Sequence, residues 1–328
     1  MIFYLSSFCF LFQKQLTDDM LDITRTQIEP WFIPFDIIMI ITITLTIILG
    51  LAFLILVAIH PTCWSVPMLL ICNSCIAQTI LSIVLLAMAV FSFQHDFKQD
   101  VGDVSFCSAI GFLCYTITVG LNYSFLIIAL YRYITVVYPT LYTWQSMRCQ
   151  ICLIISKWIF SIAFGLSMYL TNQIVYNINN QICQIPLSLS VPLLAASVIL
   201  YMAPNFGMVL IYIQLTRYIH RISARTTVAN NLFHARRELK LIQRTFILSS
   251  TLIFLGVPYM IFVFISFVTE PPKYHFRIAY FSIDFSMLAI VIMMFYFTQQ
   301  VRDIIRKPLL RSTTVMPIGS LDVRQIGM

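Results

Sequence analysis

Few side chains in this sequence can carry chemistry, and they lie far apart. Arg132 ends a long apolar run between Tyr131 and Tyr133, and Glu238 lies among Arg236, Arg237 and Lys240. A charge at the edge of an apolar segment is expensive and marks function. If paired, Arg132 and Glu238 would latch two helices together; breaking such a pair costs about 3–5 kcal/mol when buried and far less when exposed. The alternative is two interfacial charges that face water and headgroups. Asp284 is an acid inside an apolar run, either a ligand counter-ion or a polar latch to Tyr259 or Gln78. Lys157, beside Trp158, is expected to snorkel toward the nearer membrane face. His60, His95, His220, His234 and His275 fall at the ends of apolar runs or between them, and no Cys-x-x-Cys pair has matching histidines. No catalytic residue, metal site or cofactor is expected, so the chain reads as something other than an enzyme.

The elements that position these residues follow from composition. Of 328 residues, 60% are hydrophobic and 10% charged, and the mean hydropathy is +0.89. Soluble domains carry about 25% charged residues, so the bilayer is the expected solvent. A spanning helix needs about 20 apolar residues. Seven stretches qualify: 33–59, 66–93, 106–138, 147–170, 190–221, 236–268 and 276–299. None has the alternation of a membrane β-barrel. The expected fold is an all-α membrane protein, a seven-transmembrane helix bundle. Residues 1–32 form an extracellular tail, 33–299 the bundle, and 300–328 a cytoplasmic helix and tail.

Orientation comes from Lys and Arg placement. With the N-terminus outside, fourteen of the twenty fall on inner segments and five on outer ones, leaving Lys157 within a span. Seven of the fourteen (Arg217, Arg221, Arg225, Arg236, Arg237, Lys240, Arg244) flank the loop between spans five and six. The net charge of +7 is therefore a topology signal, and a nucleic-acid partner is not expected. Residues Met1–Phe12 are apolar, too short to span and without a basic start, which leaves a signal peptide, an interfacial segment or a mistaken start. The sequon Asn122-Tyr123-Ser124 falls inside span three, where glycosylation cannot reach. Residues 300–310 place Val301, Ile304 and Ile305 on one face, an amphipathic helix able to lie on membrane lipid.

Nine cysteines are present. Cys107, Cys183 and Cys9 fall on the expected oxidising side. A Cys107–Cys183 bridge would pin the loop after span four across the end of span three; the alternative is two free thiols. Cys72 and Cys75 read as packing residues.

The spacing of landmarks within the spans resembles the rhodopsin-like G protein-coupled receptors. A cysteine opens the third span and Arg132 closes it; Tyr131-Arg132-Tyr133 resembles the family's D/E-R-Y motif, with Pro139 seven residues after the arginine. Trp158 lies in span four, Pro204 and Tyr212 are eight residues apart in span five, and Glu238 lies twenty residues before Pro258 in span six. Tyr296 closes span seven. The resemblance covers about residues 33 to 310 and implies a divergent member. Tyr131 replaces the acid beside the arginine, Gln78 the aspartate of span two, Leu51 the asparagine of span one, Ile292-Met293 the Asn-Pro of span seven, and Gly256 the tryptophan of span six. These losses imply that the family's sodium site is absent.

The resemblance implies a plasma-membrane receptor that couples an extracellular small molecule or short peptide to a heterotrimeric G protein by opening the cytoplasmic face. Tyr131, Arg132, Tyr133, Pro139, Tyr212, Glu238 and Tyr296 would serve coupling, and Pro204 and Pro258 would kink their helices. The ligand would meet Cys114, Tyr115, Thr118, Tyr259 and Asp284. Cys114 stands where amine receptors carry an aspartate, which argues against a biogenic amine, and span seven has no lysine for a retinal Schiff base. A transporter or channel, or a receptor fold that no longer signals, are the competing readings. A transporter would need midplane charges, inverted repeats or broken helices.

Overall fold

The computed structural model describes residues 32–60, 65–98, 104–177, 182–185, 191–225, 261, 275–298 and 300–304. The expected sixth span, and with it Glu238, Pro258 and Tyr259, lies outside the described residues. The other expected spans are all helical: α1 (Phe32–Ile59), α2 (Val66–Lys98), α3 (Val104–Val137), α5 (Met147–Leu170), α6 (Val191–Ser197) with its continuation α7 (Ala203–Arg225), and α8 (His275–Phe297). A short α4 (Tyr142–Gln145) precedes α5. Five of these helices are long and apolar enough to cross a membrane, and α8 contributes a shorter apolar stretch, Phe281–Phe297. The chain is a multi-pass membrane protein.

The cross-section of the bundle explains the even hydropathy of its helices. In lipid, both the buried and the outward faces must be apolar, so no strong amphipathic stripe is needed. α3 is the axis. Seventy-two per cent of its apolar window is buried, against 28% for α5 and 22% for the α6–α7 span. It packs on α2, α5 and α7, while α1 packs on α2 and α8. Glycines permit the closest approaches. A Cβ at Gly165 of α5 would collide with Thr116 Oγ1 of α3, and one at Gly120 would come within 3.0 Å of the Trp158 ring. Small residues at crossings are the usual means of helix association in lipid.

Between α5 and α6 lies a β-hairpin, β1 (Val175–Asn177) and β2 (Ile182–Gln184), paired antiparallel with Tyr176 opposite Cys183. At the opposite end of the bundle, Ser146 caps α5 by accepting from the Cys149 N–H. Gln150 Nε2 donates to Trp144 O at 2.6 Å and ties α4 to α5. Residues 300–304 are helical, with Val301 fully buried and Ile304 packed on the core. These are two of the three residues expected on the apolar face of the amphipathic segment; Ile305 lies outside the described residues.

Candidate functional site

The two ends of α3 carry the landmarks. At one end, Cys107 is bonded to Cys183 of β2, with 5.5 Å between Cα atoms, so the two-free-thiol alternative falls away. The hairpin is seated further by Tyr115, whose hydroxyl accepts from Ile185 N at 3.4 Å. It also packs against Gly111, where a Cβ would meet Ile174 Cγ2 at 2.8 Å. At the other end, Arg132 is half-buried, and Thr135 Oγ1 donates to its carbonyl at 2.9 Å. Tyr131 and Tyr133 pack against the core, and the Tyr133 ring meets Tyr138 edge-on at 6.1 Å. Pro139 occupies an exposed turn directly after α3. Tyr212 is buried and Tyr296 is 64% exposed.

The centre of the bundle holds a polar node that sequence reasoning missed. Lys157 does not snorkel. It is 5% exposed, and its Nζ donates to Ser124 Oγ at 2.6 Å, Gly120 O at 3.1 Å and Asn73 Oδ1 at 3.3 Å. It lies 4.1 Å from the Trp158 ring centroid. Trp158 Nε1 also donates to Asn73 Oδ1 at 3.1 Å, Asn73 Nδ2 donates to Ser124 Oγ at 3.0 Å, and Ser124 Oγ donates to Gly120 O at 2.7 Å. The reason is register. Lys157 falls on the face of α5 that buries Gln150, Ser161, Phe164 and Met168, and a side chain on that face has no path along lipid to a headgroup. The node fastens α2, α3 and α5 together near mid-span. A signal was present in the sequence: Gln150, Lys157 and Ser161 recur at helical spacing within an apolar run.

A second junction joins α3 to the α6–α7 span. Between α6 and α7, residues Val198–Met202 form a π turn, with the Ala203 N–H reaching back to Val198 O. Pro204 has no N–H to give the Leu200 carbonyl four residues earlier. Asn122 Nδ2 donates to that carbonyl instead, and both residues are buried. The expected kink at Pro204 is thus a π turn whose freed acceptor is served by a neighbouring helix, as the hydrocarbon interior requires. Replacing Asn122 with leucine would leave Leu200 O without its partner. The expected loss is about 1–2 kcal/mol, read as a lower thermal midpoint of the purified protein. Asn122→Gln is expected to recover part of it.

Asp284 is 1% exposed, and neither carboxylate oxygen has a hydrogen-bond partner among the described residues. The expected latch to Gln78 is not made: Gln78 Nε2 donates at 2.7 Å to Met287 O, one turn further along α8. Thr118 Oγ1 on α3 is likewise buried without a partner among the described residues. At 1.5 Å of rise per residue, Thr118 lies about 21 Å along α3 from Arg132, and Asp284 about 18 Å along α8 from Tyr296. Cys114 and Tyr115 are fully buried one turn nearer the disulfide.

No curated protein matches the chain. The family described as 7 transmembrane receptor (rhodopsin family) matches residues 49–295. That range includes the polar node, the π turn, Arg132, Asp284 and the sixth expected span, so the chain belongs to the rhodopsin family of seven-transmembrane receptors.

Proposed function

We propose that this receptor sits in the plasma membrane with its N-terminus outside, binds a small molecule or short peptide among the disulfide-end halves of its helices, and activates a heterotrimeric G protein at the arginine end. Residues 1–32 are then an outer tail and 300–328 an inner helix and tail. The observation that carries the reading is the polarity of α3. One buried helix runs from a disulfide-pinned hairpin to a half-buried arginine, and the excess of Lys and Arg lies at the arginine end. The bridge belongs to an oxidising compartment, which agrees with that orientation.

In this reading the node at Asn73, Ser124 and Lys157 makes α2, α3 and α5 a fixed frame. The α6–α7 span and the sixth span move against it, with Pro204 and Pro258 as pivots. Thr118 and Asp284 are polar groups awaiting a ligand at similar depth, with Cys114 and Tyr115 one turn along α3 from Thr118 and Tyr259 as a further proposed contact. Arg132 and Glu238 hold the closed state, and Tyr131, Tyr133, Pro139, Tyr212 and Tyr296 line the surface that opens. An agonist acts by binding the open arrangement better than the closed one.

The test is basal G protein activation in cells, with wild type and Glu238→Ala compared at matched surface expression. A several-fold rise in the variant is expected. Equal and measurable signals from both would remove the latch, and silence from both across a panel of G proteins would favour a receptor fold that no longer signals or one that needs its ligand.

A further inference from the structure

The thiols of Cys149 and Cys152 take no part in the junctions described above. Both are free thiols in the first two turns of α5; Cys149 is half-buried and Cys152 exposed. Three residues apart, they share one flank of the helix. Cys152 is also the first member of an outward stripe that continues through Ile155, Ile159, Ile162 and Leu166, all exposed. In a membrane protein that stripe faces lipid chains. Exposed Tyr142, Trp144 and Arg148 lie just before it, the residue types that settle at the headgroup boundary. At 1.5 Å of rise per residue, Cys152 is about 6 Å past Arg148. Its sulfur is therefore at the depth where an attached hydrocarbon chain would run along α5 beside the isoleucines.

We propose that Cys152, with Cys149 as a neighbouring acceptor, is S-acylated from a long-chain acyl-CoA at the inner face. Juxtamembrane cysteines are the usual acceptors of this reversible modification. The cysteine sulfur attacks the thioester carbonyl of the acyl-CoA. A new carbon–sulfur bond forms as the bond to coenzyme A breaks, and the thiol proton ends on the coenzyme A sulfur. Nothing is oxidised or reduced. Exposed Arg148, one turn before Cys152, offers a cation to the phosphates of coenzyme A or of anionic headgroups. Residues 300–310, the amphipathic segment after α8, contain no cysteine. The proposal rests on the orientation given under the proposed function, because acyl-CoA is cytosolic.

The test uses the full chain, tagged at both ends, in cells fed an alkynyl fatty acid. The receptor is immunopurified, coupled to an azide dye and treated with hydroxylamine, which cleaves thioesters. Wild type is expected to carry hydroxylamine-sensitive label. Cys152→Ser should lose more than half of it, and the Cys149→Ser/Cys152→Ser double variant all of it. Label retained in the double variant, as acylation at Cys63 would give, overturns the proposal. The antibody accessibility of the two tags in intact cells separates the remaining outcomes. Unlabelled wild type with its C-terminus inside overturns the acylation alone. Unlabelled wild type with its C-terminus outside overturns the orientation, and the proposal with it.

Discussion

Asn73→Leu is expected to destabilise the receptor by about 3–5 kcal/mol, whereas Lys157→Met, which removes the unusual side chain itself, should change stability by less than about 1 kcal/mol. The asymmetry follows from counting partners. Asn73 donates to Ser124 and accepts from both Lys157 and Trp158. Its loss strips the Trp158 N–H of its acceptor and takes one of three from Lys157. Hydrogen bonds between membrane helices average about 0.6 kcal/mol in measured cycles, which puts the three bonds near 2 kcal/mol. A buried donor left without a partner adds about 1–3 kcal/mol. Lys157 differs because every acceptor it uses has a second donor. Ser124 Oγ keeps Asn73 Nδ2, Asn73 Oδ1 keeps Trp158 Nε1, and Gly120 O keeps Ser124 Oγ. Methionine fills a similar volume and leaves nothing orphaned. The double variant should therefore be more stable than Asn73→Leu alone, with a coupling of about 0.5–3 kcal/mol. Thermal unfolding of the four proteins in one detergent measures the cycle. Equal losses for Asn73→Leu with and without Lys157 would show that the lysine does not depend on Asn73.

Where the expected spans held, they held because lipid imposes one simple rule, a long uninterrupted apolar run. The stretch 147–170 coincides with α5, and 33–59 differs from α1 by one residue. Where helices run past the apolar window, hydropathy underestimates them. α2 continues to Lys98 and the α6–α7 span to Arg225, because helix propensity carries the backbone into the polar boundary. The hairpin was not legible. Its strands are three residues each, too short for an alternation signal, and the disulfide and α3 are what hold them. The π turn was not legible either. Pro204 announces a missing donor, but whether the helix kinks, widens or borrows a donor depends on Asn122, 82 residues earlier in the chain. Lys157 was misjudged because its direction was argued from residue type. The face it shares with Gln150 and Ser161 was the better guide. Asp284 is buried, yet Gln78, one of the two partners expected for it, is spent on the α8 backbone. Such choices among nearby acceptors are settled by helix rotation, which no local pattern encodes.

Removing the bridge with Cys107→Ala/Cys183→Ala is expected to lower stability by about 2–5 kcal/mol, with the loss confined to one end of the molecule. The two cysteines are 76 residues apart, and a cross-link that closes a long loop limits the unfolded chain most. Without it, the hairpin retains weaker attachments among the described residues, two of which reach α3. The Ile185 N–H to Tyr115 hydroxyl bond, 3.4 Å long, is worth about 0.5–1.5 kcal/mol. The packing of Ile174 over Gly111 is the other, and Gly111→Ala is expected to disturb it because the new Cβ would approach Ile174 within 2.8 Å. Neither replaces a covalent tie, so the two-stranded unit should detach, since an isolated hairpin is marginal in water. The node around Lys157 involves no residue of the hairpin, so the frame of α2, α3 and α5 should persist. Hydrogen exchange reads this directly. Protection should be lost over residues 174–185 and kept over residues 115–130 of α3. If protection collapsed equally in both segments, the bridge would be holding the bundle itself, and the division into a pinned cap and an independently fastened frame would be wrong.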